Sequence, residues 1–234
     1  MNAFSQLQFA KAAEFLVPSL IQGFSVVIQA TIFGFLLATI LGMVIAIGRL
    51  SNIKIIRGFL YVFLELIRGT PLLVQLVYIY YVVPLLFNLI ASMFGVKTDV
   101  QIASLTAGIF GLGINYGCYM SEVIRASILS VDKGQTEAAL VLGFGKYQAL
   151  FRIVIPQALR SIVPSLGNYL VMMVKDTSLL AYVAVSELLL RTQNFASQTF
   201  LTIESYTYLA IAYLVISIPL SHLIKFVEYK LNNK

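Results

Sequence analysis

The sequence predicts an all-α fold: a polytopic transmembrane bundle of about five helical spans with a helical loop on the cytoplasmic side. Three observations carry this. Hydrophobic residues make up 59% of the 234 residues and charged ones only 11%, with a mean hydropathy of +0.90. That is too little charge to cover the surface of a soluble domain of this length. The apolar residues also gather into runs long enough to cross a bilayer, at roughly 20 residues per helix. Finally, positive charge concentrates on alternate connections between those runs.

Hydropathy places spans near residues 19–48, 59–90, 101–124, 162–185 and 205–227 of a single domain, 1–234. The first run, about Val17 to Ile47, is too long for the apolar core of a cleaved leader and follows no basic segment, so it is expected to stay as a helix. Arg49, Lys54 and Arg57 follow the first span; Arg125, Lys133, Lys146, Arg152 and Arg160 surround the connection between the third and fourth; Lys225, Lys230 and Lys234 close the chain. The opposite side holds Lys11, Lys97 and Arg191 among Glu14, Asp99, Glu187 and Glu204. The positive-inside rule then sets the N-terminus outside and the C-terminus in the cytoplasm. This also accounts for the net charge of +6, which lacks the basic stripe of a nucleic-acid binder.

Span one carries Ala30, Gly34, Ala38, Gly42 and Ala46 at intervals of four, and span three carries Ala103, Ala107 and Gly111. Such faces let helix backbones approach closely. The lone cysteine, Cys118, reads as a small packing residue, and His222 as a satisfied interior or interfacial histidine. No metal-ligand spacing and no nucleophile–base arrangement is legible, so neither a metal site nor catalytic residues are expected.

Two spans break the rules of membrane helices. In the second, Arg68-Gly69-Thr70-Pro71 interrupts the apolar run. Proline cannot bond the carbonyl four residues back, that of Ile67, and broken helices at membrane depth occur where they line a cavity or lie buried in protein. The freed Ile67 carbonyl, the Arg68 guanidinium and the Thr70 hydroxyl could serve a solute's ammonium and carboxylate; alternatively Arg68 pairs with Glu65 and Pro71 is a simple kink. In the fourth span, Lys175-Asp176-Thr177-Ser178 lies about 20 Å along the helix, where each charge costs about 2.5–3.5 kcal/mol to insert. Lys175 and Asp176 point about 100° apart, so one can face a cavity while the other holds a neighbouring helix. Asn115 and Tyr116 of span three fall at a similar depth.

The cytoplasmic connection, residues 126–160, is expected to form two short helices with a glycine elbow. Asp132 and Gln135 resemble a capping pair; Gly143 and Gly145 end the first helix; a second amphipathic stretch runs to Pro156. Glu137-Ala138-Ala139 presents a small, shallow surface suited to a soluble partner, the alternative being a helix that lies on lipid.

Glu137-Ala138-Ala139, Gly143 and Ile153-Val154-Ile155-Pro156 together resemble the signature loop of permease subunits of ATP-binding-cassette importers, with Ile155 where the family usually has leucine. Arg68-Gly69-Thr70-Pro71-Leu72-Leu73-Val74-Gln75, Ser121-Glu122-Val123-Ile124-Arg125, Lys133-Gly134-Gln135 and Lys175-Asp176-Thr177-Ser178-Leu179 are similar to motifs of the polar amino-acid branch. The resemblance spans about residues 20 to 225. It implies a subunit of a bacterial inner-membrane importer, with a second permease copy or paralogue, a cytoplasmic ATPase dimer that binds ATP and Mg, and an extracytoplasmic substrate-binding protein. It assigns Glu137, Ala138, Ala139, Gly143 and Pro156 to ATPase coupling. The substrate pathway is expected at Ile67, Arg68, Gly69, Thr70, Pro71, Asn115, Tyr116, Lys175, Asp176, Thr177 and Ser178. The chain has no GxxxxGK[ST] loop, so no cofactor is expected in it. The rival readings are an importer of another small solute, an autonomous secondary transporter, and a membrane enzyme.

Overall fold

The computed structural model describes residues 7–232. Its long helices cross in five passes among those residues. Helix α1 (Phe9–Arg49) makes the first; α2 (Lys54–Arg68), α3 (Leu72–Val77) and α4 (Val83–Met93) share the second; α5 (Ser104–Leu129) makes the third. After a short helix α6 (Lys133–Val141), helices α7 (Lys146–Ala149) and α8 (Ile155–Asp176), joined by a π-helical turn and extended by a 3-10 segment to Val183, make the fourth. Short α9 (Leu188–Thr199) precedes α10 (Thr202–Asn232), the fifth.

Four of the described stretches are long and apolar enough to span a membrane by themselves: Phe9–Arg49, Leu72–Met93, Lys146–Val183 and Thr202–Leu231. Helix α5 is long enough but glycine-rich and more polar, and its partners explain why that is tolerated. It packs along most of α1 on one side and against α3 and α8 on others, so little of it needs an apolar coat.

The α1–α5 contact is built from small residues. Ala30, Gly34, Ala38, Gly42 and Ala46 are all buried, as the interval of four predicts. On α5 the expected stripe is shifted. Ala103 is exposed at the helix start, whereas Gly117 faces α1. A Cβ on Gly117 would stand 3.0 Å from Leu41 Cβ and 3.2 Å from the Ala38 carbonyl oxygen. The Gly34–Leu112 and Gly42–Met120 approaches show the two helices running in the same direction. Gly117→Val is therefore expected to force them apart at a cost of about 1–3 kcal/mol, read as a lower melting temperature of the purified protein in detergent. An unchanged melting temperature would show that this seam is slack.

Three element boundaries differ from expectation. Helix α1 begins at Phe9, about ten residues before its hydrophobic run, because Glu204 at the start of α10 accepts the Gln8 N–H (2.7 Å) and Tyr208 donates to the Phe9 carbonyl (3.1 Å). The span expected at 59–90 is divided: α2 stops at Arg68, and Pro71 is extended (φ −62°, ψ 141°) before α3 begins. The second helix of the cytoplasmic loop does not stop at Pro156 but continues into α8. A π-helical turn, Leu150–Val154, ends two residues before that proline. Its wider turn moves the hydrogen-bond ladder just where the ring would clash and the N–H is missing. Tyr78–Val82 does the same before Pro84. The compact connection is thus residues 130–145, around α6.

Candidate functional site

A cavity of about 470 Å³ lies where the break of the second pass meets α5 and α8. Arg68, Gly69, Thr70, Pro71 and Leu72 form one wall, Asn115, Tyr116 and Tyr119 a second, and Tyr169, Met172 and Asp176 a third. Of the expected pathway residues, Arg68, Gly69, Thr70, Pro71, Asn115, Tyr116 and Asp176 come together here.

Ile67, Lys175, Thr177 and Ser178 do not line it. Thr177 is buried and spends its hydroxyl on the Val174 carbonyl (2.7 Å). Lys175 is exposed on another face of α8, because burial of Met173 and Val174 fixes the rotation that turns Asp176 to the cavity. The Ile67 carbonyl is freed by Pro71, as expected, but it is not open to a solute. Gln75 donates its amide to it (2.6 Å), to the Thr70 carbonyl (3.0 Å) and to the Thr70 hydroxyl (2.9 Å). The Gln75 oxygen in turn accepts from the Asn115 amide (3.1 Å). Gln75 thus fixes the broken backbone and ties it to α5. Gln75→Leu leaves two carbonyls and an amide without these partners. It should cost about 3 kcal/mol, measured as loss of thermal stability, with the cavity wall released. A melting temperature as high as that of the natural protein would count against this role.

Charge in the site is divided. Asp176 accepts a hydrogen bond from the Tyr116 hydroxyl (2.7 Å), and Tyr116 packs edge-on against Tyr169 with ring centres 6.1 Å apart. Among the described residues Asp176 has no cationic partner within salt-bridge distance. Arg68 does not pair with Glu65. Its guanidinium lies 3.5 Å from Glu122 and 5.6 Å from the centre of the Tyr119 ring, with 40% of the side chain exposed. The cavity thus offers a guanidinium, a carboxylate that can accept further hydrogen bonds, three tyrosines and a thioether. Among the described residues no cluster of His, Cys, Asp or Glu could hold a metal. Leu72, Tyr119, Tyr169 and Met172 were not in the expected set, and Tyr169 and Met172 follow only from their spacing of seven and four residues before Asp176 on α8.

Around α6 the expected coupling residues separate by face. Glu137 and Ala138 are exposed; Ala139 is 1% exposed and packs inward. Val141 (87% exposed) and Leu142 (76%) stand out beside them. Asp132 caps the helix through the Gly134 N–H (2.6 Å). Gln135 does not reach back to complete a capping box but accepts from Gln157 of α8 (3.2 Å). Gly143 takes a left-handed conformation (φ 85°), with Phe144 N–H donating to the Ala139 carbonyl and Gly143 N–H to Leu140, each at 3.0 Å. That is a Schellman ending, which a side chain would strain. Pro156 is exposed at the first turn of α8.

After the 3-10 segment the structure buries a carboxylate that charge and hydropathy assign to an outer connection. Glu187 caps α9, accepting from Leu189 N–H (2.8 Å), Leu190 N–H (2.9 Å) and the Tyr213 hydroxyl (3.0 Å). It pins α9 and α10 to the segment that follows Asp176. Cys118 is buried against Ile45 and Leu64, as expected of a packing residue, and His222, expected to be interior or interfacial, is exposed on α10.

Residues 38–233 match the family described as binding-protein-dependent transport system inner membrane component. The chain belongs to this family. It is 32% identical over 215 residues to the glutamine transport system permease protein GlnP of Escherichia coli K12, covering 92% of this chain and 94% of that one. It is 38% identical over 181 residues to the L-cystine transport system permease protein TcyB of Bacillus subtilis, covering 77% and 72%. Among solved structures, a chain of an amino acid ABC transporter crystallised with histidines superposes with a TM-score of 0.82 at 32% identity, covering 96% of this chain and 99% of that one. The inward-facing MetNI methionine transporter matches at a TM-score of 0.63 and 19% identity, covering 94% and 96%, a likeness of fold. As a member of this family the chain is a transport subunit that spans the membrane.

Proposed function

We infer that the chain carries polar amino acids into the cytoplasm as the permease half of an ATP-driven importer. The observation that carries this reading is that Arg68 and Asp176, which do not pair with each other, both line one cavity. An α-amino acid presents a carboxylate and an ammonium a fixed short distance apart, and the two side chains offer each its complement by charge-assisted hydrogen bonds. Tyr119, Tyr169 and Met172 remain for the substrate's side chain, with aromatic faces that accept polar, cationic and thioether-like groups. The names of the glutamine, cystine and histidine-bound relatives support the same class.

Energy enters from outside the chain. The exposed face of α6, with Glu137, Ala138, Val141 and Leu142, fits a cleft on a cytoplasmic ATPase that binds ATP and Mg; Gly143 and Pro156 shape this connection rather than touch the partner. An extracytoplasmic binding protein delivers the solute, and a second copy or paralogue completes the path. Exposed Lys175, at a depth where lipid would leave it unsolvated, is suited to face that second subunit. In the bacterial inner membrane the basic connections then lie in the cytoplasm, with the N-terminus outside and the C-terminus inside.

The deciding experiment is ATPase stimulation of the reconstituted complex by its loaded binding protein, across a panel of glutamine, histidine, arginine, cystine, glutamate and proline betaine. Stimulation by one or more of the polar amino acids is expected. A response to the betaine alone would move the cargo to osmolytes, and uptake without any ATPase would return the chain to the secondary transporters.

A further inference from the structure

Glu122 stands between three arginines. Arg49 from the end of α1 makes the closest contact. Arg125 on its own helix lies at 3.4 Å and Arg68 from the end of α2 at 3.5 Å. One carboxylate therefore faces three guanidinium groups, with Arg49 on its Oε1 and Arg125 on its Oε2. Arg68 is the outermost, the most exposed of the three at 40% against 15% and 31%, and the one that also lines the cavity. It leans on the Tyr119 ring at 5.6 Å, which supports the guanidinium from its face and leaves its edge donors free to turn.

We propose that Glu122 is an internal substitute for the substrate's carboxylate: it holds Arg68 at the cavity rim when the site is empty and gives it up when an α-carboxylate arrives. The inference rests on the amino-acid reading of the cavity. The exchange conserves charge pairing, since Glu122 keeps Arg49 and Arg125 while Arg68 gains the solute. That makes release of Arg68 inexpensive, whereas a carboxylate with a single arginine would be stranded by it. Glu122 is thus a positioning residue that weakens binding of the carboxylate by competing for its partner, and so keeps the site from holding its cargo too tightly to release.

The test is equilibrium binding of radiolabelled L-glutamine and L-arginine to the purified permease–ATPase complex in nanodiscs, each compared with its α-carboxamide, which lacks the carboxylate. Glu122→Gln removes the competitor while keeping shape. The free amino acid should bind about fivefold more tightly, the scale of a partly exposed ion pair, while the carboxamide is unmoved. In an Arg68→Gln background the same change should do nothing, because the effect passes through Arg68. Glu122→Asp, a shorter carboxylate still held by Arg49 and Arg125, should show the same direction with a smaller gain and covers the case in which the glutamine variant misfolds. Equal gains for acid and carboxamide, or a gain that persists without Arg68, would overturn the exchange while leaving the cavity assignment intact. Failure of either amino acid to bind the natural complex would overturn the cavity assignment and this inference with it.

Discussion

Ala138→Trp is expected to abolish substrate-driven uptake, at least tenfold, while leaving the membrane bundle as stable as before. Ala138 is exposed on α6, so a large side chain there meets nothing within its own chain, and the intrinsic helix preference lost is about 0.5 kcal/mol. What it obstructs is whatever seats on that face. Its neighbour supplies the control. Ala139 is 1% exposed, and its carbonyl closes the turn at Phe144. Ala139→Trp should overfill the interior of the connection, costing about 1–3 kcal/mol, and impair folding and uptake together. The measurements are uptake into proteoliposomes, co-purification of the ATPase, and melting temperature for each variant. Normal uptake by Ala138→Trp would remove α6 as the coupling element.

The contrast between those two alanines shows where the sequence is informative and where it is not. The motif Glu137-Ala138-Ala139 was visible, but the rotational phase of a nine-residue helix with weak amphipathicity is set by what it packs against, and only the fold supplies that. Lys175 and Asp176 repeat the lesson. Their depth followed from counting residues along the helix, whereas the choice between them followed from Met173 and Val174 turning inward. The break at Pro71 was legible because proline acts locally. Its consequence was not, because the freed Ile67 carbonyl is claimed by Gln75, eight residues on and across the break in the helix. Arg68 likewise had a plausible local partner in Glu65 and took a distant one in Glu122, since three helix ends converge there. Helix α9 and the capping role of Glu187 were not legible, because twelve mostly polar residues between two spans read as a loop. Hydropathy finds what faces lipid, and this element faces other helices.

Asp176→Asn should lower amino-acid binding by about thirtyfold, the equivalent of about 2 kcal/mol for a charge-assisted hydrogen bond, with little change in stability. The reason lies in what Asp176 touches. Its single hydrogen bond among the described residues comes from the Tyr116 hydroxyl at 2.7 Å, and an asparagine oxygen can accept that bond equally well. No cation is orphaned by removing the carboxylate, so the usual penalty for breaking a buried ion pair does not arise. Arg68→Gln differs in this respect: it also relieves Glu122 of one of three guanidinium groups, so its effects mix binding with rearrangement of the cluster. Asp176→Asn is therefore the cleaner probe of ammonium recognition. Binding of an amino acid should fall, while binding of the analogue that lacks the amine, the corresponding carboxylic acid, should stay the same or improve. Equal losses for amine-bearing and amine-free ligands would mean that Asp176 shapes the cavity through Tyr116 and does not meet the ammonium at all.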